Sequence, residues 1–375
     1  MAVKPSLEKI LQDIHKNYVK LKKLEKKMNN ITLYSVLNTL LKKMQQCDNL
    51  FKSLKPKLEF LGSYFDGVRV GNPNEFDINV ILTLHLNYNK IILDATNVQN
   101  GHTSVVMPSE FRRLSKTPAT AEKGFRDTQF WCDASYRLSV TKFKAWMQSV
   151  VDATLNTLPQ VNGKRMLYVN TKSYEIDAKI SGPANTITIR DNDQLIDIDL
   201  VPTLQFKHPK VPINSSVRFD KLRCTHIHQY FIVPKPINND YSWRLAFPHQ
   251  ERYYINGKNN LKSSLRIIKL LRDRQCFKKL ASYYIKTLFL WEAAEQNDEF
   301  WRKNSLSYLV IYMLKKLRDS LRKREIKNFW SPDHNLLEKI KSETSLHWCN
   351  RLNSIIYHME NVYDPSRLMQ YFVNI

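Results

Sequence analysis

Glu75 and Asp77 sit two positions apart in EFDINVIL, flanked by apolar residues. On a strand, side chains at i and i+2 leave the same face, so the two carboxylates would stand side by side. Like charges held that close repel unless a cation lies between them, and a divalent metal is the simplest neutraliser. Hard oxygen donors suit Mg²⁺ or Mn²⁺, which keep waters and bind substrate phosphates. A further acid is available in QLIDIDLVPTL, where Asp197 and Asp199 alternate in the same way. Three carboxylates on adjacent strands can hold two such ions about 3.5–4 Å apart, activating an attacking hydroxyl and stabilising a leaving pyrophosphate. Upstream, Gly62-Ser63 offers a triphosphate a close backbone approach and a hydroxyl. An isolated acid pair on a strand more often simply faces solvent. Here the order of the three parts gives it weight.

These residues need elements to position them. From Leu58 to about residue 205 the texture is strand-like: EFLGSYFDGV, EFDINVILTL, MLYVNTKSYEI, NTITIR and QLIDIDLVPTL are β-branched or aromatic runs bounded by Gly, Pro and Asn. Before them, Leu7, Ile10, Leu11, Ile14, Tyr18 and Leu21 repeat at helical spacing and predict a helix over 6–28. Lys16, Lys20, Lys23 and Lys27 project from its opposite side. A second helix is expected from Leu33 to Leu54, ending before Pro56. After residue 258 glycine disappears, and SSLRIIKLLRDR, SYYIKTLFLWEAAEQ, SYLVIYMLKKLRDSLRK and NLLEKIKSE read as helices. Along the basic run KKLRDSLRKREIK, Leu317 and Leu321, with Leu314 just before it, are spaced for packing, which leaves the charges on an outer face. The expected plan is α+β: N-terminal helices over 1–57, a mixed-sheet core over 58–205 and a mostly helical lobe over 206–375.

Composition bounds the function. With 58 Lys+Arg against 35 Asp+Glu, the formal charge of +23 makes a polyanion the first partner to consider. At 43% hydrophobic over 375 residues the chain can bury a large core, so it is not a disordered basic tail. No apolar run approaches the roughly 20 residues of a membrane span, and the N-terminus lacks a signal-peptide apolar core. Cys47, Cys132, Cys224, Cys276 and Cys349 are scattered, without a C-x-x-C pair, so neither a disulfide framework nor a zinc knuckle is indicated and a reducing, cytoplasmic setting is expected.

Gly-Ser, a dozen residues, Glu-x-Asp and a distant strand Asp before Val-Pro together resemble the polymerase-beta-like nucleotidyltransferases. More narrowly, GSYFDGVRVGNPNEFDINVIL, IDLVPTL, YFIVPKP, YSWRLAFPHQE, LRIIKLLRDR and ASYYIKTLFLWEAAEQND, in this order over residues 58–300, resemble the Mab-21-like family that includes cyclic GMP-AMP synthase and its receptor-type relatives. The N-terminal helix matches that family's long spine helix. The resemblance implies that Glu75, Asp77 and Asp199 ligate two Mg²⁺ or Mn²⁺ ions. It gives Asp199, rather than Asp197, the task of orienting the attacking ribose hydroxyl. It further implies that Gly62 and Ser63 hold the donor triphosphate, that Arg244 contacts nucleotide, that Lys269 reaches triphosphate and that Tyr283 stacks on a base. A fork of donors, a point charge and a planar ring suit those roles.

Two departures shape the expectation. Only QERYYINGKNNLKSS, without cysteine, spans the gap where DNA-sensing members carry a zinc insertion, so no zinc is expected; CTHIH (Cys224, His226, His228) has no usual zinc spacing. Leu61 replaces a hydroxyl residue of the mammalian enzyme, which leaves the product linkage open. Members without the insertion include receptors for double-stranded RNA, and a Lys16, Lys20, Lys23 and Lys27 stripe suits phosphate contact along a duplex. The implied activity is conversion of ATP and GTP into a cyclic dinucleotide read by a STING-type receptor, with room for a dimer on nucleic acid. Alternatives are a template-independent RNA nucleotidyltransferase and a catalytically silent nucleic-acid-binding scaffold.

Overall fold

A computed structural model describes residues 6–21, 23–71, 74–116, 128–191, 194–235, 239–258, 260–362 and 364–373, the side chains of Lys23, Leu114, Ser115, Arg223 and Cys224 excepted. The chain forms two compact units. One comprises residues 23–65 and 73–248; the other comprises residues 1–22, 66–72 and 249–375.

Among the described residues the first unit has eleven strands: β1 (Lys57–Leu61), β2 (Glu75–Leu82), β3 (Ile92–Asp94), β4 (His102–Val106), β5 (Gln160–Val161), β6 (Lys164–Val169), β7 (Lys172–Ser181), β8 (Ala184–Asp191), β9 (Gln194–Lys207), β10 (Gln229–Val233) and β11 (Trp243–Ala246). Their order is β3-β4-β11-β10-β9-β8-β7-β6-β5, with β2 paired to β1 and β9. β9 is the hub. Ile198 pairs with both Phe76 and Ile187, and Leu204 with both Leu82 and Ile232, so β2 runs along one edge of β9 while β8 and then β10 occupy the other. Only the β2–β9 pairing is parallel among these three. Alternation gives the sheet a dry face, where Phe76, Ile78, Ile196, Ile198 and Leu200 are buried. At about 1.5–3 kcal/mol per fully buried large apolar side chain, that face holds the strands in register.

The N-terminal helix departs from expectation. α1 (Leu7–Ile14) buries Ile10, Leu11 and Ile14, but the chain then makes one π-helical turn, His15–Val19, closed by Lys20 N–H donating to the His15 carbonyl at 2.9 Å. The wider turn moves the buried position from i+4 to i+5, so Val19 is 1% exposed while Tyr18 is 43% exposed. Lys20 is extended, and α2 runs unbroken from Lys23 to Cys47. The expected break near residues 28–33 is absent because the polar residues there are accommodated: Asn29 and Thr32 are buried and Asn30 Oδ1 accepts from Tyr64 at 2.6 Å. The second break falls at Asp48, whose carboxylate caps the short helix Asn49–Ser53.

The second unit packs α1 with helices from the other end of the chain. Glu8 accepts from the backbone N–H groups of Leu306 (3.3 Å) and Ser307 (2.7 Å), capping the helix Leu306–Lys323. In that helix Leu314, Leu317 and Leu321 are buried, as their spacing predicts. NLLEKIKSE is not a helix up to Lys341. Asn335 Oδ1 accepts from Ile326 and Leu337 N–H in a turn, burying Leu336, Leu337 and Ile340, and the helix starts at Ser342. No helix among the described residues is long and apolar enough to cross a membrane.

Candidate active site

Glu75 on β2 lies opposite Asp197 on β9, and Asp77 opposite Asp199. β8 extends both rows from the other edge of β9, with Thr188 opposite Asp197 and Thr186 opposite Asp199. Residues in register share a face of the sheet. Four carboxylates therefore stand in two adjacent pairs, bordered by two threonines, on the face opposite the dry one. Thr186 Oγ1 donates to Asp199 Oδ1, and Thr188 Oγ1 donates to Asp197 Oδ1 at 2.6 Å. Each hydroxyl fixes one carboxylate oxygen and leaves the other to face outward chemistry.

Gly62 closes on the same place. Leu61 pairs with Asp77, and Gly62 turns away with φ +78°. A Cβ on Gly62 would lie 1.8 Å from Asp77 Oδ2, so both the backbone conformation and the space demand glycine. Ser63 follows in the four-residue helix Gly62–Phe65. The donor set of Glu75, Asp77, Asp197 and Asp199 is entirely hard oxygen, which fits Mg²⁺ or Mn²⁺ in chemistry. Among the described residues no three acid, imidazole or thiol groups converge closely enough to hold an ion. The register equips Asp197 and Asp199 alike; Asp199 is distinguished as the partner of the acid that meets Gly62.

Arg244 belongs to the same face. Phe231 of β10 pairs with Gln205 of β9, which alternates in step with Asp199, and Val233, two residues on, pairs with Arg244 of β11. Arg244 in turn pairs with His102 of β4. Counting in twos thus places an exposed guanidinium on the acid-bearing side of the sheet, some strands away from the carboxylates. His102, not anticipated from the sequence, is buried beside it. Its Nδ1 lies 3.2 Å from the Asn100 carbonyl, and its Nε2 has no partner among the described residues. Burial outweighs the Asn100 carbonyl and, with Arg244 and Lys235 adding to it, brings the imidazole pKa down to about 4, so it is neutral near pH 7.

Lys269 and Tyr283 belong to the other compact unit. Lys269, in the helix Leu261–Arg274, is buried and donates to the Val68 carbonyl at 2.7 Å. Burial, aided by Arg272 and Arg69, lowers its pKa to about 8. Tyr283, at the start of the helix Ser282–Glu295, is 36% exposed and donates its hydroxyl to Glu251 Oε1 at 3.0 Å. Lys16 and Lys20 also fall in this unit, whereas Lys23 and Lys27 open α2 in the sheet unit. Lys16, Lys20 and Lys27 are exposed, and the Lys23 side chain lies outside the described residues. The π turn and the extended Lys20 mean that the four lysines do not lie on one continuous helix, contrary to the sequence-based expectation. Of CTHIH, the Cys224 side chain lies outside the described residues; the His228 ring sits 6.2 Å from that of His208.

A buried ion cluster was invisible in the sequence. Lys286 bridges Asp66 (2.9 Å) and Glu251 (2.7 Å), while Arg252 holds the other oxygen of Asp66 at 3.0 Å. Glu251 also accepts from Trp330 Nε1 at 3.1 Å. The members are up to 220 positions apart, so no local spacing announces them.

Residues 64–257 match the Mab-21 protein nucleotidyltransferase domain, and residues 260–373 match the Mab-21 protein HhH/H2TH-like domain. The chain is 31% identical over 373 residues to a cyclic GMP-AMP synthase-like receptor of Aethina tumida, covering 98% of this chain and 91% of that protein. It is 33% identical over 363 residues to one of Tribolium castaneum, covering 95% and 89%, and 32% identical over 374 residues to one of Trichogramma pretiosum, covering 96% and 75%. A sheet that gathers acids against a Gly-Ser turn, a nucleotidyltransferase domain spanning it and near full-length likeness to these receptors lead to one conclusion: the chain belongs to the Mab-21 nucleotidyltransferase family, among its cyclic GMP-AMP synthase-like receptors.

Proposed function

We propose that this chain is a nucleic-acid-activated nucleotidyltransferase that joins ATP and GTP into a cyclic dinucleotide of the cGAMP type, acting in the cytoplasm as an innate immune sensor of double-stranded RNA. The observation that carries the reading is the in-register pairing of Asp77 with Asp199, beside Glu75 and against Gly62. Glu75, Asp77 and Asp199 are the residues that would hold two Mg²⁺ or Mn²⁺ ions. When bound, such ions activate the attacking hydroxyl and offset the charge that builds on the leaving pyrophosphate.

Gly62 and Ser63 grip the donor triphosphate, with Lys269 supplying positive charge. Asp199 accepts a hydrogen bond from the acceptor ribose hydroxyl, whose oxygen bonds the α-phosphorus as the bond to pyrophosphate breaks. Arg244 contacts nucleotide and Tyr283 stacks on a base. The first transfer gives a linear dinucleotide triphosphate; rebinding in reversed orientation lets the same residues close the ring. Lys16, Lys20, Lys23 and Lys27 contact duplex phosphates, and a STING-type receptor reads the product.

Incubating the protein with labelled ATP and GTP, divalent metal, and duplex RNA or none tests this. A cyclic dinucleotide formed only with duplex is the expected result. Growing chains would assign a polymerase, and absence of product from a protein that binds duplex would assign a silent scaffold.

A further inference from the structure

Asp66 begins the segment 66–72, which belongs to the C-terminal unit although the residues on either side belong to the sheet unit. The segment contains two glycines of positive φ, Gly67 (+72°) and Gly71 (+81°), and as a free loop it would be loosely held. It is instead fastened by cations. The Asp66 carboxylate is 3% exposed and takes Lys286 Nζ at 2.9 Å on one oxygen and Arg252 Nε at 3.0 Å on the other. Two residues on, the Val68 carbonyl takes Lys269 Nζ. Lys286 is shared with Glu251, whose second oxygen holds the Tyr283 hydroxyl and Trp330 Nε1. Burial opposes the Lys286 charge, but Glu251 and Asp66 together hold its pKa above the usual lysine range.

A buried carboxylate is costly unless fully paired, and a loop that only links two elements needs none. This one lies three residues after Ser63, at the end of the Gly62–Phe65 turn. We propose that Asp66 is a positioning residue for nucleotide binding: by fixing the end of that turn it sets the direction from which Gly62 and Ser63 meet the triphosphate. The inference rests on the nucleotidyltransferase reading of Gly62 and Ser63. Asp66 itself touches no nucleotide; it acts through the backbone it anchors, and Lys286 and Arg252 act through it.

The test uses the full-length protein and its Asp66→Asn and Asp66→Glu variants. Asparagine keeps the volume and one acceptor but removes the charge that both cations require; glutamate keeps the charge. Steady-state kinetics with ATP and GTP, activated by duplex, are measured beside melting temperature and duplex affinity. A positioning role predicts that Asp66→Asn raises the nucleotide KM about tenfold at nearly unchanged kcat, with duplex affinity unaltered, and that Asp66→Glu recovers most of the loss. A purely structural role reduces the fraction of folded enzyme, so apparent kcat falls in step with the melting temperature while KM stays constant; that pattern would overturn the proposal. If the unmodified protein forms no product under any condition, the enzymatic reading fails. ATP affinity by calorimetry then decides separately: a tenfold weaker dissociation constant for Asp66→Asn supports the anchor, and an equal affinity, or no ATP binding by either protein, refutes it.

Discussion

Asp199 and Asp197 are chemically identical, each braced by a threonine hydroxyl, and differ in the partner across the strand. Asp199 faces Asp77, the acid that meets Gly62; Asp197 faces Glu75, at the exposed start of β2. Asp199→Asn is expected to abolish product formation while leaving duplex binding and melting temperature nearly unchanged, because the substitution removes charge but little volume. Asp197→Asn should retain most turnover, and the reverse result would move the third ligand to Asp197. Lys269 adds a pH dependence. Its pKa of about 8, against 10.5 for an ordinary lysine, means that it loses its charge just above neutrality. If its ammonium grips triphosphate, nucleotide KM should rise as pH increases from about 7 to about 9, and Lys269→Gln should flatten that rise. The stability effect has the opposite sign. A lysine that is harder to charge when folded costs stability fully below its folded pKa, and the cost fades as pH rises from about 8 towards 10.5.

Elements show where sequence periodicity carries and where it stops. Strand period is two whatever the packing, so EFDINVIL and QLIDIDLVPTL place acids on one face by alternation alone, and both are strands. Which strands pair is a long-range choice: that β2 runs parallel to β9 with Asp77 on Asp199 comes from dry-face packing and cannot be read from either segment. The first helix illustrates the converse. Its apolar spacing assigned Tyr18 to the core, but a five-residue step buries Val19 instead. Val19→Ala should therefore destabilise by about 1–2 kcal/mol and Tyr18→Ala by less than about 0.5 kcal/mol in chemical denaturation; a larger cost for Tyr18→Ala than for Val19→Ala would mean a regular helix in solution. The Asp66, Lys286, Glu251 and Arg252 cluster was illegible for a simpler reason. Each residue is unremarkable in its own segment, and only the tertiary fold brings them together.

For the whole molecule, a formal charge of +23 sets the field in which any polyanion approaches, and the lysines proposed to meet it are divided between two units. On one continuous helix Lys16, Lys20, Lys23 and Lys27 would behave as a single stripe; here two belong to each unit. Lys16→Glu with Lys20→Glu, and Lys23→Glu with Lys27→Glu, should each weaken duplex binding and lower the log–log salt slope, by about 1 per lost phosphate contact, with melting temperature little changed. A pair that leaves the slope intact does not contact phosphate. If the proposed activator is right, duplex RNA should stimulate turnover more than duplex DNA of equal length at matched salt, because A-form shape and 2′-hydroxyls distinguish the two duplexes. Stronger stimulation by DNA would overturn the RNA assignment and leave the nucleotidyltransferase in place.

The cap that Glu8 places on the helix beginning at Leu306 also has a meaning in time. The two residues are 298 positions apart, so at about 5–20 residues per second a ribosome exposes α1 for roughly 15–60 s before its docking site exists. During that interval Ile10, Leu11, Ile14 and Val19 have no place to bury. A nascent chain halted before residue 306 should therefore be cut by protease within residues 7–19, and one extended through Lys323 should become resistant there. α1 would complete this packing only once the helix Leu306–Lys323 has been made.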